Sequence, residues 1–240
     1  MPVFVLVHGT GHGGWCWQKV VPILRRSGAD AYAQTLTGVS DRSHLLDCGV
    51  DLTTHITDVG NLLVYEDLSD VVLVGHSYGG MVISGVAATA PERLRQLIYL
   101  DAYVPSAGES EVDLWPSEMR AEIESDATAH SGLRPPPSPE FMGITDPALV
   151  DWVRERITAH PMATYTEAVP PGSARSNALA RAYISCTEGP LTPVFEPFAE
   201  KAREAGWPVR EIPTGHDAML TAPEAVAELL LELSDTAEAG

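Results

Sequence analysis

The chain is poor in cysteine and in cations. Its three cysteines, Cys16, Cys48 and Cys186, make an odd number with no CxxC spacing. Neither a disulfide framework nor a thiolate zinc site is indicated, and a reducing cytoplasm is the expected setting. Lys and Arg number 15 against 33 Asp and Glu, for a formal net charge of −18. Such a surface repels phosphate backbones and anionic bilayers, which counts against nucleic-acid and membrane partners and disfavours acidic substrates. No apolar run approaches the roughly 20 residues that a bilayer demands. The first strand pattern starts directly after Met1, without a basic and then apolar leader, so no signal peptide is expected. No repeat or heptad pattern is visible. Asp and Glu do not pair with His at metal-ligand spacing, and no metal or other cofactor is expected.

What is present is an ordinary globular composition, 45% hydrophobic and 20% charged over 240 residues, enough for one domain spanning 1–240. Only the tail after Leu233 looks loose. Short β-branched runs at Val3–His8, 31–34, 71–74, 97–100, 182–186 and 209–212 read as strands. Between them lie helical patterns at 15–26, 52–68, 81–89, 198–204 and 223–233. Strand–helix alternation requires long crossovers, hence an α/β fold with a mostly parallel sheet and helices on both faces. From Tyr103 to about Ser176 prolines cluster at Pro135–Pro137, Pro139, Pro170 and Pro171, with a helical patch at 149–157. This stretch reads as a cap inserted over the sheet.

The run Gly75-His76-Ser77-Tyr78-Gly79 matches GxSxG, with a buried strand before it and a small-residue helix after it, the context in which the motif marks a nucleophile elbow. A serine hydroxyl needs a base, and the base needs an acid to fix its tautomer. His216, in Thr214-Gly215-His216-Asp217 between the last strand and the last helix, is the candidate base. His44, His55, His130 and His160 need no role beyond the surface, and His76 is held in the elbow, lining or bracing the site. The Gly-rich loop His8-Gly9-Thr10-Gly11-His12-Gly13-Gly14 can present the N–H of Thr10 to an oxyanion, with the N–H of Tyr78 as second donor. It lacks both GxGxxG and GK[ST], so a phosphate site is disfavoured.

The stretch from Val7 to Trp17, the elbow through Gly80, and Gly215-His216-Asp217 together resemble the hydroxynitrile lyase and plant methylesterase branch of the α/β-hydrolases. The likeness covers nearly the whole chain except the cap. It implies the α/β-hydrolase fold. Lyases of that branch carry threonine after the first histidine and lysine after the catalytic one, where this chain has Gly9 and Asp217. A negative charge beside the base opposes departure of cyanide, so the resemblance implies the esterase subgroup. Relatives usually place the acid where this chain has Gly189. Asp101, at a strand tip, and Glu188, one position before Gly189, are the alternatives, with Asp101 favoured because a strand tip is fixed. Asp217 and Asp41 read as surface or capping carboxylates.

The expectation is a serine hydrolase of a small hydrophobic carboxylic ester, lactone or thioester, with Tyr103, Trp115, Phe141, Met142 and Trp152 as pocket candidates. A cyclase or lyase of small-molecule biosynthesis, or a ligand-binding protein on the same fold, is the alternative. A homodimer is left open.

Overall fold

The computed structural model describes residues 1–47 and 49–236, so Cys48 and the last four residues of the tail lie outside the described residues. Along the chain run β1 (Val3–Val7), α1 (Val20–Arg26), β2 (Asp30–Ala33), α2 (Leu52–Tyr65), β3 (Val71–Ser77), α3 (Gly79–Thr89) and β4 (Leu94–Ala102). The chain then leaves the sheet for α4 (Glu111–Leu114), α5 (Ser117–Ala129), β5 (Leu133–Arg134), α6 (Pro147–Arg154), β6 (His160–Pro161), α7 (Ala163–Thr166) and α8 (Ala174–Asn177). It returns with β7 (Ala180–Cys186), α9 (Thr192–Glu204), β8 (Val209–Ile212), α10 (Ala218–Thr221) and α11 (Pro223–Thr236).

Six strands form the sheet in the order β2-β1-β3-β4-β7-β8, and every pairing in it is parallel. This is the α/β-hydrolase fold. β3 sits inside the sheet with all seven residues buried, as a strand covered by helices on both faces must be. Its register against β4 slips between His76 and Ser77, so regular pairing breaks at the serine. Within the excursion, β5 and β6 pair antiparallel and stand apart from the main sheet.

Several elements differ from the sequence expectation. The helix read over 15–26 divides into a 3₁₀ turn at Gly14–Trp17 and α1. α9 starts at Thr192 rather than near Phe198 and carries Pro197 inside it, where proline normally interrupts a helix. α5 was hidden because its face is polar, with only Ile123 and Ala127 buried. α11 continues past Leu233 to Thr236. Among the described residues no helix is long and apolar enough to cross a membrane.

Candidate active site

Ser77 closes β3 at φ +55, in the left-handed region that costs a side-chain-bearing residue energy and therefore marks a constrained turn. The flanking glycines make that turn possible. A Cβ on Gly75 would lie 2.5 Å from the Gly79 carbonyl oxygen, and one on Gly79 would lie 2.8 Å from the Val7 oxygen. Gly9 is required for the same reason, since a Cβ there would come within 2.8 Å of Ser77 Cβ. The loop after β1 thus packs directly on the serine. Among the described residues no hydrogen bond uses the N–H of Thr10 or of Tyr78. The Thr10 hydroxyl accepts from Tyr165 Oη at 2.9 Å.

His216 follows β8, and the insertion braces its loop. A Cβ on Gly215 would lie 2.7 Å from Gly143 Cα, and the Asp217 N–H donates to the Met142 carbonyl at 3.3 Å. The imidazole stacks on Phe195, ring centres 4.5 Å apart. Its Nδ1–H donates to Asp101 Oδ2 at 2.6 Å, with both side chains buried. Asp101, at φ +42 near the end of β4, is held in turn by the Cys186 N–H, which donates to Oδ1 at 3.0 Å. The carboxylate on His216 is therefore that of Asp101. Glu188 is exposed, and its backbone N–H is bonded to Thr214. Gly189 sits at φ +97, a conformation that favours glycine.

Two expectations about carboxylates and histidines need correction. Asp217 is fully buried and is no surface or capping carboxylate; it accepts from His12 Nε2–H at 3.1 Å. His12 Nδ1–H donates to the Thr10 carbonyl at 2.8 Å. A carbonyl can only accept, so Nδ1 carries a proton, and with Asp217 ionised Nε2 carries one as well, which makes His12 an imidazolium paired with a carboxylate. Burial works against that charge, but the charge and hydrogen bond of Asp217 outweigh it and hold His12 above its ordinary value. Burial likewise works against Asp217, and His12 outweighs it and holds the carboxyl down. His55 and His160 are also fully buried rather than superficial. Tyr78 Oη donates to His55 Nδ1 at 2.8 Å, and the Gly11 N–H donates to His160 Nδ1 at 3.1 Å. Sequence reading missed both because each partner lies far away in the chain.

His76 Nε2–H donates to the His216 carbonyl at 3.0 Å, bracing the His216 backbone from the turn at Ser77. Burial and the neighbouring His216 keep His76 neutral, well below its ordinary value. Although the sequence shows no metal-ligand spacing, the fold brings ligand-capable atoms of His76, His216 and Asp217 within 4.8 Å of one another. Asp217 Oδ2 and His216 Nδ1 are already engaged by His12 and Asp101, while His76 Nδ1 and Asp217 Oδ1 are buried without a hydrogen bond, Oδ1 lying 3.8 Å from His76 Nε2.

Ser77, His216, Thr10, His12 and His76 line one pocket. The insertion contributes Tyr103, Met119, Phe141 and Met142, together with Glu111 and Arg134. Two pocket candidates lie elsewhere. Trp115 sits behind Glu111, donating to its Oε1 at 3.0 Å, and Trp152 packs edge-on against Trp15 at 5.1 Å.

The model of the "Alpha/beta hydrolase family" matches residues 4–229. The carbendazim hydrolyzing esterase of Nocardioides sp. (strain SG-4G) is 40% identical over 244 residues, covering 97% of this chain and 100% of that protein. Methylesterase 1 of Arabidopsis thaliana is 33% identical over 161 residues, 59% of this chain and 58% of that protein. Among solved structures, an extracellular alpha/beta-hydrolase from a Paenibacillus species superposes with a TM-score of 0.86 at 22% identity, covering 97% of this chain and 99% of that one. At that identity the superposition speaks for the fold alone.

Proposed function

We propose that this chain, which belongs to the alpha/beta hydrolase family and is a carboxylic ester hydrolase like the esterases it resembles, works by acyl transfer to Ser77. Ser77 Oγ attacks the ester carbonyl while His216 takes its proton. Asp101 keeps the His216 Nδ1–H pointed away from the serine, so Nε2 is the basic nitrogen, and stabilises the imidazolium that forms. The N–H groups of Thr10 and Tyr78 receive the oxyanion. His216 then protonates the departing alcohol, and water, deprotonated by the same histidine, releases the acid. The single observation that carries this reading is the buried 2.6 Å bond to Asp101 from His216, which lines the same pocket as Ser77.

The insertion acts as a cap over that pocket. Its apolar side chains suit a small hydrophobic ester, lactone or thioester, in keeping with an acidic surface that repels anions. The paucity of cysteine supports a cytoplasmic setting.

The test is a p-nitrophenyl ester panel from acetate to octanoate on the purified protein, with Ser77→Ala alongside and intact-mass detection of a fluorophosphonate adduct. Carbendazim joins the panel because the Nocardioides relative is named for hydrolysing it. Turnover lost in Ser77→Ala, with the adduct on Ser77 of the wild type, is the expected result. Turnover retained in Ser77→Ala, or no turnover and no adduct, overturns the mechanism.

A further inference from the structure

Glu111, at the start of α4, and Arg134, in β5, border the same pocket as Ser77 and His216, and the mechanism uses neither. Glu111 is 1% exposed. Trp115 Nε1–H occupies its Oε1, while Oε2 is buried without a hydrogen-bond partner. A carboxylate in that state is strongly disfavoured, so the group resolves the conflict by staying protonated. Burial pushes its carboxyl up to about 8, against the opposing pull of Arg134 and the Trp115 hydrogen bond. Near neutral pH Glu111 therefore carries an O–H with nothing to receive it.

Arg134 adds donors of its own. Its guanidinium carbon lies 5.6 Å from the ring centres of both Trp115 and Tyr165, which sets the planar group beside aromatic faces, and guanidinium has no acceptor to offer. Two donor groups thus border an otherwise mostly apolar cap wall. A plain hydrocarbon ester leaves the Glu111 hydroxyl unsatisfied.

We propose that the pocket selects esters whose non-reacting portion carries a neutral amide-type carbonyl, received by the carboxyl O–H of Glu111 and the guanidinium of Arg134. This selection rests on the acyl-transfer reading above for its reaction and on Glu111 and Arg134 for its preference. It narrows the substrate class from small hydrophobic esters to esters with one lone-pair acceptor remote from the scissile bond. A site with buried donors discriminates against analogues lacking the matching acceptor, because the donors are then left unpaired.

The experiment compares methyl 4-acetamidobenzoate with its hydrocarbon isostere methyl 4-isobutylbenzoate on wild type, Glu111→Leu and Arg134→Met, read as the ratio of kcat/KM values within each protein. Expected is a wild-type preference for the acetamido ester on the order of 10-fold to 100-fold, from one or two hydrogen bonds, residing mainly in KM and falling towards one in both variants. A wild-type ratio near one, or an unchanged ratio in both variants, overturns the proposal. Acetanilide binding to Ser77→Ala, measured by titration calorimetry with and without Glu111→Leu, reads the subsite without any chemistry. Binding that disappears with Glu111→Leu supports the subsite even if Ser77 proves not to be a nucleophile, and binding that is absent or indifferent to Glu111 counts against it even if Ser77 is.

Discussion

At the scale of residues, the site is organised by which carboxylate meets which histidine. Asp101 bonds His216 and Asp217 bonds His12, although Asp217 is the sequence neighbour of His216. Asp101→Asn should lower kcat by about 10⁴-fold, the loss associated with a wrong histidine tautomer, whereas Glu188→Gln should change it by less than about two-fold, since surface carboxylates contribute little. Stopped ester assays of the two variants separate them. Asp217→Asn removes the counter-ion that holds His12 protonated. Burial, opposed then only by the Thr10 hydrogen bond, pushes the His12 pKa down, so at pH 7 the imidazole should lose one proton. Imidazole ¹⁵N spectra should show both His12 nitrogens protonated in the wild type and one in the variant; a doubly protonated His12 in Asp217→Asn would mean that another group supplies the charge.

At the scale of elements, α3 shows how close backbone approach is built from small residues. A Cβ on Gly80 would lie 2.1 Å from the Tyr103 carbonyl oxygen, and the backbone on both sides leaves no room to shift. Gly80→Ala should therefore destabilise the protein by several kcal/mol, at the upper end for single substitutions. A Cβ on Gly60, in the middle of α2, would meet nothing within 4 Å. Gly60→Ala should stabilise by about 0.5–1 kcal/mol, because glycine in a helix interior carries an entropic penalty. Urea unfolding of both variants tests the pair, and opposite signs are expected. The start of α2 is equally local in origin, with Asp51 and Thr54 forming a capping box that satisfies the first helical N–H groups.

At the scale of the whole molecule, the histidines make stability depend on pH. His8, His55, His76 and His160 are buried neutral, and burial leads the causes that lower each one, His8 to about 3. The unfolded chain protonates them near their ordinary value of 6.5, where the folded chain does not. Stability is fully present above pH 6.5 and is lost as pH falls below it, by up to about 1.4 kcal/mol per pH unit for each group until its folded pKa is reached. His12 runs the other way: its raised pKa contributes stability that is complete below 6.5 and fades as pH rises through the folded value. Four groups outweigh one. The Tm should fall steeply between pH 6.5 and 5, and a Tm that is flat or rising over that interval would show that these histidines are protonated in the folded protein.

The alternating strands and helices were legible along the chain because each depends on local hydrophobic period and on glycine at the turns, and Ser77 was legible because its strained turn demands Gly75 and Gly79 within two residues. His216 stood out by its place before the last helix. Helix boundaries at α9 and the whole of α5 were not legible, since tertiary packing tolerates Pro197 and a nearly polar helix that local preference disfavours. Long-range pairing was decided by the tertiary structure alone: Asp101 reaches His216 across 115 residues and His12 reaches Asp217 across 205. Hydrogen-bond partners are chosen by proximity in space, which the parallel order of strands creates and chain spacing does not record. For the same reason the sequence determined which chemical groups this protein possesses, and only the folded sheet and its insertion decided which of them share one buried pocket.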